Sequence, residues 1–305
     1  MTELGPTDQT VLVTGGAGFI GSHLVEHLVD DNEVRVLDNL STGSRENLPA
    51  DAELIVGDVR STDDLSRATR DIDVVFHQAA QVSVERSIND PTESFSSNIE
   101  PTIDVLELAR KRDFRVIVAS SCAIYGDPEY TPIDESHRTE PNSPYGLEKL
   151  TVDRYTQLYN ELYDIETVAL RYFNVYGPRQ SVGDYSGVIS VFREQANAGE
   201  DLTVEGDGQQ TRDFVHVDDI VRANMYAAET KETGYAYNVG TGSATSIREL
   251  AEIIQDLSDS TPDIVHIAER KGDIEESEAD LTKIQNKLGF EPRVPLKEGL
   301  RSLMN

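Results

Sequence analysis

Tyr145 and Lys149 stand four residues apart in SPYGLEKL (143–150), a stretch that opens a helix. At this spacing both side chains share one helix face. An ammonium beside a phenol favours the phenolate, and with further positive charge bound beside it the tyrosine could act as a general base near neutral pH. A second group of reactive types ends an apolar run: FRVIV leads into ASSCAIYG (119–126), which places Ser120, Ser121 and Cys122 at the end of a buried strand. A third is the glycine series GGAGFIG (15–21), with Gly15, Gly18 and Gly21 three apart. Between a strand and a helix, such spacing permits a tight turn, close approach of backbone to a pyrophosphate, and helix-on-strand packing. Two of these signals have a plain alternative: a surface pair for Tyr145 and Lys149, and a structural turn for the glycines.

Asp38 ends the next apolar strand, 20 residues after Gly18. An acid there accepts hydrogen bonds from an adenosine ribose and repels a 2′-phosphate. No arginine stands in the following NLSTG, so NAD is favoured over NADP. Asp58 and Val59 follow the third strand, where Asp58 could hold the adenine amino group or simply close a turn.

These residues need strand ends to hold them. Apolar strands are expected at 10–15, 34–38, 53–58, 73–80, 114–121 and 167–177, with helical segments at 21–30, in DDLSRAT, in TIDVLELARKR and after Ser143. Strands alternating with helices predict an α/β fold, a Rossmann-type doubly wound parallel sheet covered on both faces. Beyond residue 177 come a helix (SGVISVFREQANAG), a strand (DLTVEG), a helix (VHVDDIVRANMYAAE), a strand (YAYNVGTG), a helix (SIRELAEIIQDL), and a last strand followed by ADLTKIQNKLGF. The expected division is a dinucleotide-binding domain over 1–175, rejoined by a return to the main sheet at about 214–240. A smaller α/β substrate domain takes 176–213 and 241–305.

Composition limits the partners. Lys+Arg number 27 against 56 Asp+Glu, a balance of −29, and seven of the basic residues are lysine. Such a field repels nucleic acid and anionic membranes, and it is consistent with a saline cytoplasm, where screening cancels self-repulsion. The bland alternative is an acidic protein from an ordinary cytoplasm. One cysteine leaves no internal disulfide and no cysteine-rich metal site, and no metal is expected. The N-terminus lacks a basic region followed by an apolar stretch, so a cytoplasmic location is expected.

Taken together, TGGAGFIGSHL, DNLSTG, GDVR, HQAAQVSV, Asn98, SSCAIYG, YGLEK, RYFNVYGPRQ, GDGQQTRDFVHVDD and RKGD, in this order, resemble the extended short-chain dehydrogenase/reductases. Within them, the chain is most similar to the UDP-glucose 4-epimerase-like nucleotide-sugar epimerases. The resemblance implies roles by position. Ser121, Tyr145 and Lys149 would be catalytic, with Lys149 also gripping the nicotinamide ribose. NAD would meet Gly15, Gly18, Phe19, Ile20 and Gly21, then Asp38, Asn39, Ser41, Thr42 and Gly43, then Asp58 and Val59. It would also meet Gln78, Ala79, Ala80, Gln81, Asn98, Ser120 and Phe173, besides Tyr145 and Lys149. Asn98 would brace its helix or a structural water, or else cap a helix. The nucleotide sugar would meet Ser83, Ser121, Cys122, Asn174, Val188, Arg212, Arg270, Asp273 and Ser277. Arg212 and Arg270 suit a diphosphate because guanidinium is planar and bidentate. A surface ion pair is the alternative for each, as a turn cap is for Asp273.

The related dehydratases and decarboxylases carry an acid at the second position after the catalytic Ser/Thr. Here that position is Ala123, after Cys122. Alanine transfers no proton and a thiol replaces a carboxylic acid poorly, so reversible oxidation at one carbon is expected without elimination. The expected activity is an NAD-dependent 4-epimerisation of UDP-glucose and UDP-galactose. UDP-GlcNAc and UDP-GalNAc are included if the small Ser277 is the size gate. UDP-glucuronate, another NDP-sugar, a 3,5-epimerase-reductase, an NADP-dependent reductase and a non-catalytic Rossmann sensor or RNA-associated protein are the alternatives. Apolar stripes on TIDVLELARKR and on the helix after Tyr145 imply, by the same resemblance, a homodimer, unless they only cover the sheet.

Overall fold

The computed structural model describes residues 4–180, 187–269 and 274–304. In chain order its first half runs β1 (Thr10–Thr14), α1 (Phe19–Leu28), β2 (Glu33–Asp38), β3 (Glu53–Val56), α2 (Thr62–Ala68), β4 (Val74–His77), α3 (Val84–Asn89), α4 (Pro91–Arg112), β5 (Arg115–Ser121), α5 (Pro144–Tyr163) and β6 (Thr167–Tyr172). Then follow β7 (Asn174–Tyr176), α6 (Val188–Ala198), β8 (Leu202–Glu205), β9 (Thr211–His216), α7 (Val217–Glu229), β10 (Tyr235–Val239), β11 (Ala244–Ser246), α8 (Ile247–Leu257), β12 (Ile264–Ile267), α9 (Thr282–Leu288) and α10 (Leu296–Met304).

Seven strands form one parallel sheet in the order β10-β6-β5-β4-β1-β2-β3. The expected doubly wound α/β fold is therefore present. Strands β1, β4, β5 and β6 are buried on both faces, as in a sheet covered by helices on each side. Two cores result. Val11, Val13, Ile117 and Ala119 point to α1 and α7, whose Leu24 and Ala223 share their core. Leu12, Val75, Val116 and Val118 point to α4 and α5, with Val105, Leu106, Val152 and Tyr159. A third core lies outside the sheet and gathers Phe192, Leu202, Phe214, Leu250 and Ile254. Among the described residues no helix is long and apolar enough to cross a membrane.

The run 167–177 is not one strand. Its first six residues pair with β5 and β10; after Phe173 the chain leaves the sheet, and β7 pairs with β9 instead. Phe173 is the crossing point, its amide still donating to Val239 O at 2.9 Å. The expected return to the main sheet at about 214–240 is made by α7 and β10 alone. Residues 214–216 belong to β9, in a three-stranded sheet β11-β9-β7. The expected helix at VHVDDIVRANMYAAE accordingly starts only at Val217, because Val215 and His216 are committed to that pairing.

Candidate active site

The strand order reverses at β1, with β2 on one side and β4 on the other. In open α/β sheets this is where a crevice opens beyond the strand ends. Gly15 leaves β1 with φ +67°, and a Cβ there would lie 2.8 Å from the Ala79 Cα. Gly21 sits in the first turn of α1, where a Cβ would lie 2.2 Å from Gly15 O. The loop, the helix start and the β4 exit thus pack with no room for side chains. Gly18 caps α1 without a side-chain hydrogen bond. The first amides of the helix are left to an outside acceptor, which fits a pyrophosphate. Phe19 and Ile20 begin that helix, half-buried.

Asp38 is buried at the end of β2. Its carboxylate accepts from Ala17 N at 2.9 Å and from Leu40 N at 2.8 Å. It therefore fastens the glycine loop, and each oxygen keeps a lone pair for a ribose hydroxyl. Ser41 and Thr42 are exposed beyond it, and Gly43 rests against Ala17. Asp58 is already engaged: Arg60 binds both its oxygens (2.9 and 2.6 Å), and Asn39 Nδ2 donates to it at 3.2 Å. The Arg60 guanidinium holds this carboxyl well below the usual range. The turn reading of Asp58 describes these contacts best; Val59 beside it is half-buried.

Beyond β4, Gln78 Nε2 lies 3.2 Å from the Tyr172 hydroxyl. Ala79 N donates to Thr14 Oγ1 at 3.3 Å, and Ala80 and Gln81 continue the loop. Asn98 lies inside α4, so it caps nothing. Its amide pairs with the Gln81 backbone, Oδ1 accepting from Gln81 N at 2.8 Å and Nδ2 donating to Gln81 O at 2.9 Å. Ser83, expected at the substrate, is buried and caps α3, its Oγ accepting from Arg86 N at 3.1 Å.

Ser121, Tyr145 and Lys149 converge where β5 ends and α5 begins. Ser143 caps α5, its Oγ accepting from Gly146 N at 3.1 Å. Ser121 caps a 3₁₀ turn over Cys122–Ile124, accepting from Ala123 N at 3.1 Å. Its hydroxyl faces the Tyr145 phenol. Burial pushes that phenol up to about 12, against the pull of the Ser121 hydroxyl. The buried Lys149 ammonium donates to Ala119 O at 2.7 Å and lies 5.9 Å from the Tyr145 ring centre. Burial lowers Lys149 to about 8, and Glu148 opposes the fall. In the protein alone the phenol is neutral at pH 7, and further positive charge is needed beside it.

Ser120, expected to line the cofactor pocket, points the other way, because successive strand residues face opposite sides. Its hydroxyl donates to Asp153 Oδ2 at 3.0 Å. Asp153 and Arg171 form a buried bidentate pair, with both bonds at 2.9 Å. Arg171 continues to the Tyr125 hydroxyl at 2.9 Å, which donates to Asn238 Oδ1 at 2.6 Å. This wall ties α5, β5, β6 and β10 together behind the catalytic groups. Sequence reasoning passed over it, although an arginine inside the apolar run TVALRY was the visible sign.

The small sheet brings the other expected contacts. Phe173 is buried in the core of the main sheet. Asn174 Nδ2 donates to Asp213 O at 3.2 Å. Arg212 donates to Thr211 O at 2.7 Å, and its charge reaches the Cys122 thiol, which burial nonetheless pushes up to about 12. The neighbouring Asp213, missed from sequence, is fully buried and accepts from Thr241 N (2.8 Å), Thr241 Oγ1 (2.6 Å), Gly242 N (2.9 Å) and Ala279 N (3.2 Å). It thereby fixes the segment that carries Ser277, itself buried. Val188 opens α6, half-buried. Arg270 and Asp273 lie outside the described residues.

Comparison with known proteins places this geometry. The family model of the NAD dependent epimerase/dehydratase family matches residues 11–240. A curated relative, a putative UDP-glucose 4-epimerase of Methanocaldococcus jannaschii, is 42% identical over 299 residues, covering 97% of each chain. The solved UDP-N-acetylglucosamine 4-epimerase of Methanobrevibacter ruminantium, in complex with UDP-N-acetylmuramic acid, superposes with a TM-score of 0.93 at 38% identity, over 98% of each chain. The UDP-glucose 4-epimerase of Thermotoga maritima with UDP-glucose gives 0.92 at 38% identity, over 96% of each. A glycine cradle that admits no Cβ, uncapped amides at α1 and an acid at the end of β2 fit the family's cofactor, NAD. The chain is therefore an enzyme of the NAD dependent epimerase/dehydratase family, a UDP-glucose 4-epimerase-like member of the extended short-chain dehydrogenase/reductases.

Proposed function

We propose that the protein is an NAD-dependent UDP-sugar 4-epimerase, acting on UDP-glucose and UDP-galactose and also on the 2-acetamido sugars UDP-GlcNAc and UDP-GalNAc. One observation carries this reading. Ser121, Tyr145 and Lys149 meet at the cofactor crevice, while the turn after Ser121 offers Cys122, with its thiol pushed up to about 12, and Ala123, which titrates not at all. Proton transfer at one hydroxyl is provided for; elimination of a second group is not.

When bound, the oxidised nicotinamide supplies the hydride acceptor and brings positive charge to the crevice. Tyr145 takes the proton of the sugar C4 hydroxyl, and Ser121 holds that hydroxyl by hydrogen bonding. Lys149, anchored on Ala119 O, lends its charge to the phenolate and grips the nicotinamide ribose. Arg212 and Arg270 hold the diphosphate while the 4-keto sugar turns its other carbonyl face to the cofactor, which would give the hydride back to C4, and Tyr145 returns the proton to the C4 oxygen. Asn174 and Ser277 border the sugar, Ser277 with a side chain small enough to admit an acetamido group.

The exposed Phe95, Leu147, Leu158 and Leu162 of α4 and α5 support a homodimer through these two helices. The balance of −29 supports a saline cytoplasm as the working environment. The chain is read as two units, the main-sheet part up to about 173 with 217–239 for NAD, and the remainder, including the small sheet, for the nucleotide sugar.

The deciding test is an NMR assay of UDP-glucose in molar KCl without added NAD, beside UDP-GlcNAc and UDP-glucuronate. Conversion to the 4-epimer supports the reading. Silence even with NAD added would overturn it. Light scattering in the same buffer tests the dimer.

A further inference from the structure

Glu148 stands between the two catalytic residues of α5, buried (4% exposed) and facing α4. A carboxylate so placed costs stability unless it is fully used. Its Oε2 accepts from Ser94 Oγ at 2.7 Å and from Asn98 Nδ2 at 2.6 Å. Being acceptor-only, it fixes which way the Asn98 amide faces. Asn98 can then pair with both backbone groups of Gln81, while Ser94 Oγ accepts from Gln81 Nε2 at 3.4 Å. The loop after β4, which carries Gln78 to Gln81 along the cofactor crevice, is thus held through two side chains by the helix that carries Tyr145 and Lys149.

We propose that Glu148 is a positioning residue of this enzyme: its carboxylate clamps the 78–81 loop through Asn98 and Ser94. This rests on the catalytic reading above. Glu148 raises the proton affinity of both neighbours, Lys149 and Tyr145, each against or along with the effect of burial. The other titratable groups around them are accounted for. His77 of β4 is held neutral by burial, down to about 3, and by the Lys149 charge. Cys122 is protonated. Asp153 is committed to Arg171. On the α3 and α4 side Arg86 pairs with Glu93 at 2.9 Å, and Ser94 and Asn98 do not titrate.

Two variants of the full-length, NAD-loaded protein separate clamp from charge. In Glu148→Gln the side-chain oxygen still accepts from Ser94 and Asn98. The pH profile of kcat should move toward acid on both limbs, by on the order of 0.5–1 pH unit, because Tyr145 and Lys149 both lose protons more easily. Hydrogen exchange of the 78–81 amides should stay as in the wild type. In Glu148→Ala the clamp is gone, and those amides should exchange about tenfold faster. Unchanged exchange in Glu148→Ala, or exchange in Glu148→Gln as fast as in Glu148→Ala, would overturn the proposal. If the wild type converts no UDP-sugar at all, the functional reading fails instead, and hydrogen exchange alone decides the positioning role.

Discussion

Lys149 Nζ donates to Ala119 O at 2.7 Å while lying 5.9 Å from the centre of the Tyr145 ring. The lysine is thus fastened to the strand, not to the phenol. It acts on Tyr145 through space, from a position that the backbone carbonyl sets.

That burial sets a pH dependence of stability. Lys149 is lowered from 10.5 to about 8 in the folded chain. Between these values the unfolded chain binds more protons, so this group's contribution rises with pH from 8 to 10.5 and is a cost of about 3 kcal/mol below that window. Urea unfolding at pH 7 and pH 9.5 should show wild type gaining on Lys149→Met as pH rises. Equal gaps at both values would contradict the assignment.

Tyr145→Phe removes the proton acceptor and leaves the ring packing. Turnover should fall by roughly 10³ or more, with NAD content of the purified protein unchanged. The check is the NMR assay alongside absorbance of released NAD. Substantial residual turnover would place the base elsewhere.

The Asp153–Arg171 pair is buried on both sides, at 0 and 2% side-chain exposure. Replacing Asp153 by Asn leaves Arg171 without its counter-charge and should cost about 3–5 kcal/mol. An Asp153→Leu/Arg171→Met double variant should recover part of that loss, since no uncompensated charge remains. Chemical unfolding of the set measures the coupling.

Cys122 is raised from 9.0 to about 12. Its thiolate fraction, and with it the rate of alkylation, should be roughly 10³ below that of an ordinary cysteine. Iodoacetamide at pH 8 followed by intact mass should leave the native protein unlabelled. One label should appear after denaturation in urea.

Gly21→Ala would place a Cβ 2.2 Å from Gly15 O. Backbone cannot yield there without opening the glycine loop, so NAD retention should be lost, by tenfold or more in affinity on the order expected for a displaced anion cradle. A thermal shift with titrated NAD reads it directly.

Much of the site was legible before any coordinates. The glycine series, Asp38, the strand-end serines and the Tyr/Lys spacing are local patterns, and each marks the end of an element that periodicity also reveals. Ser120 shows the limit. Its neighbour Ser121 faces the catalytic side, while Ser120 turns to Asp153 on the opposite face, and composition alone does not say what waits on either side. Asp58 is similar: its position suits a ligand, yet Arg60 two residues on takes both oxygens.

The sequence by itself determined the order and type of the elements of the main sheet and the loops that carry the chemistry, because apolar periodicity and glycine or proline punctuation act within a few residues. Tertiary structure decided where the run 167–177 breaks, since Phe173 still meets Val239 while Asn174 to Tyr176 find β9. It also decided which buried polar groups answer one another: Asp153 with Arg171, Asp213 with the 241–242 and 279 amides, Glu148 with Asn98. A polar group can be buried only where its partner arrives, and these partners come from other elements, so the pairing is a property of the packed chain.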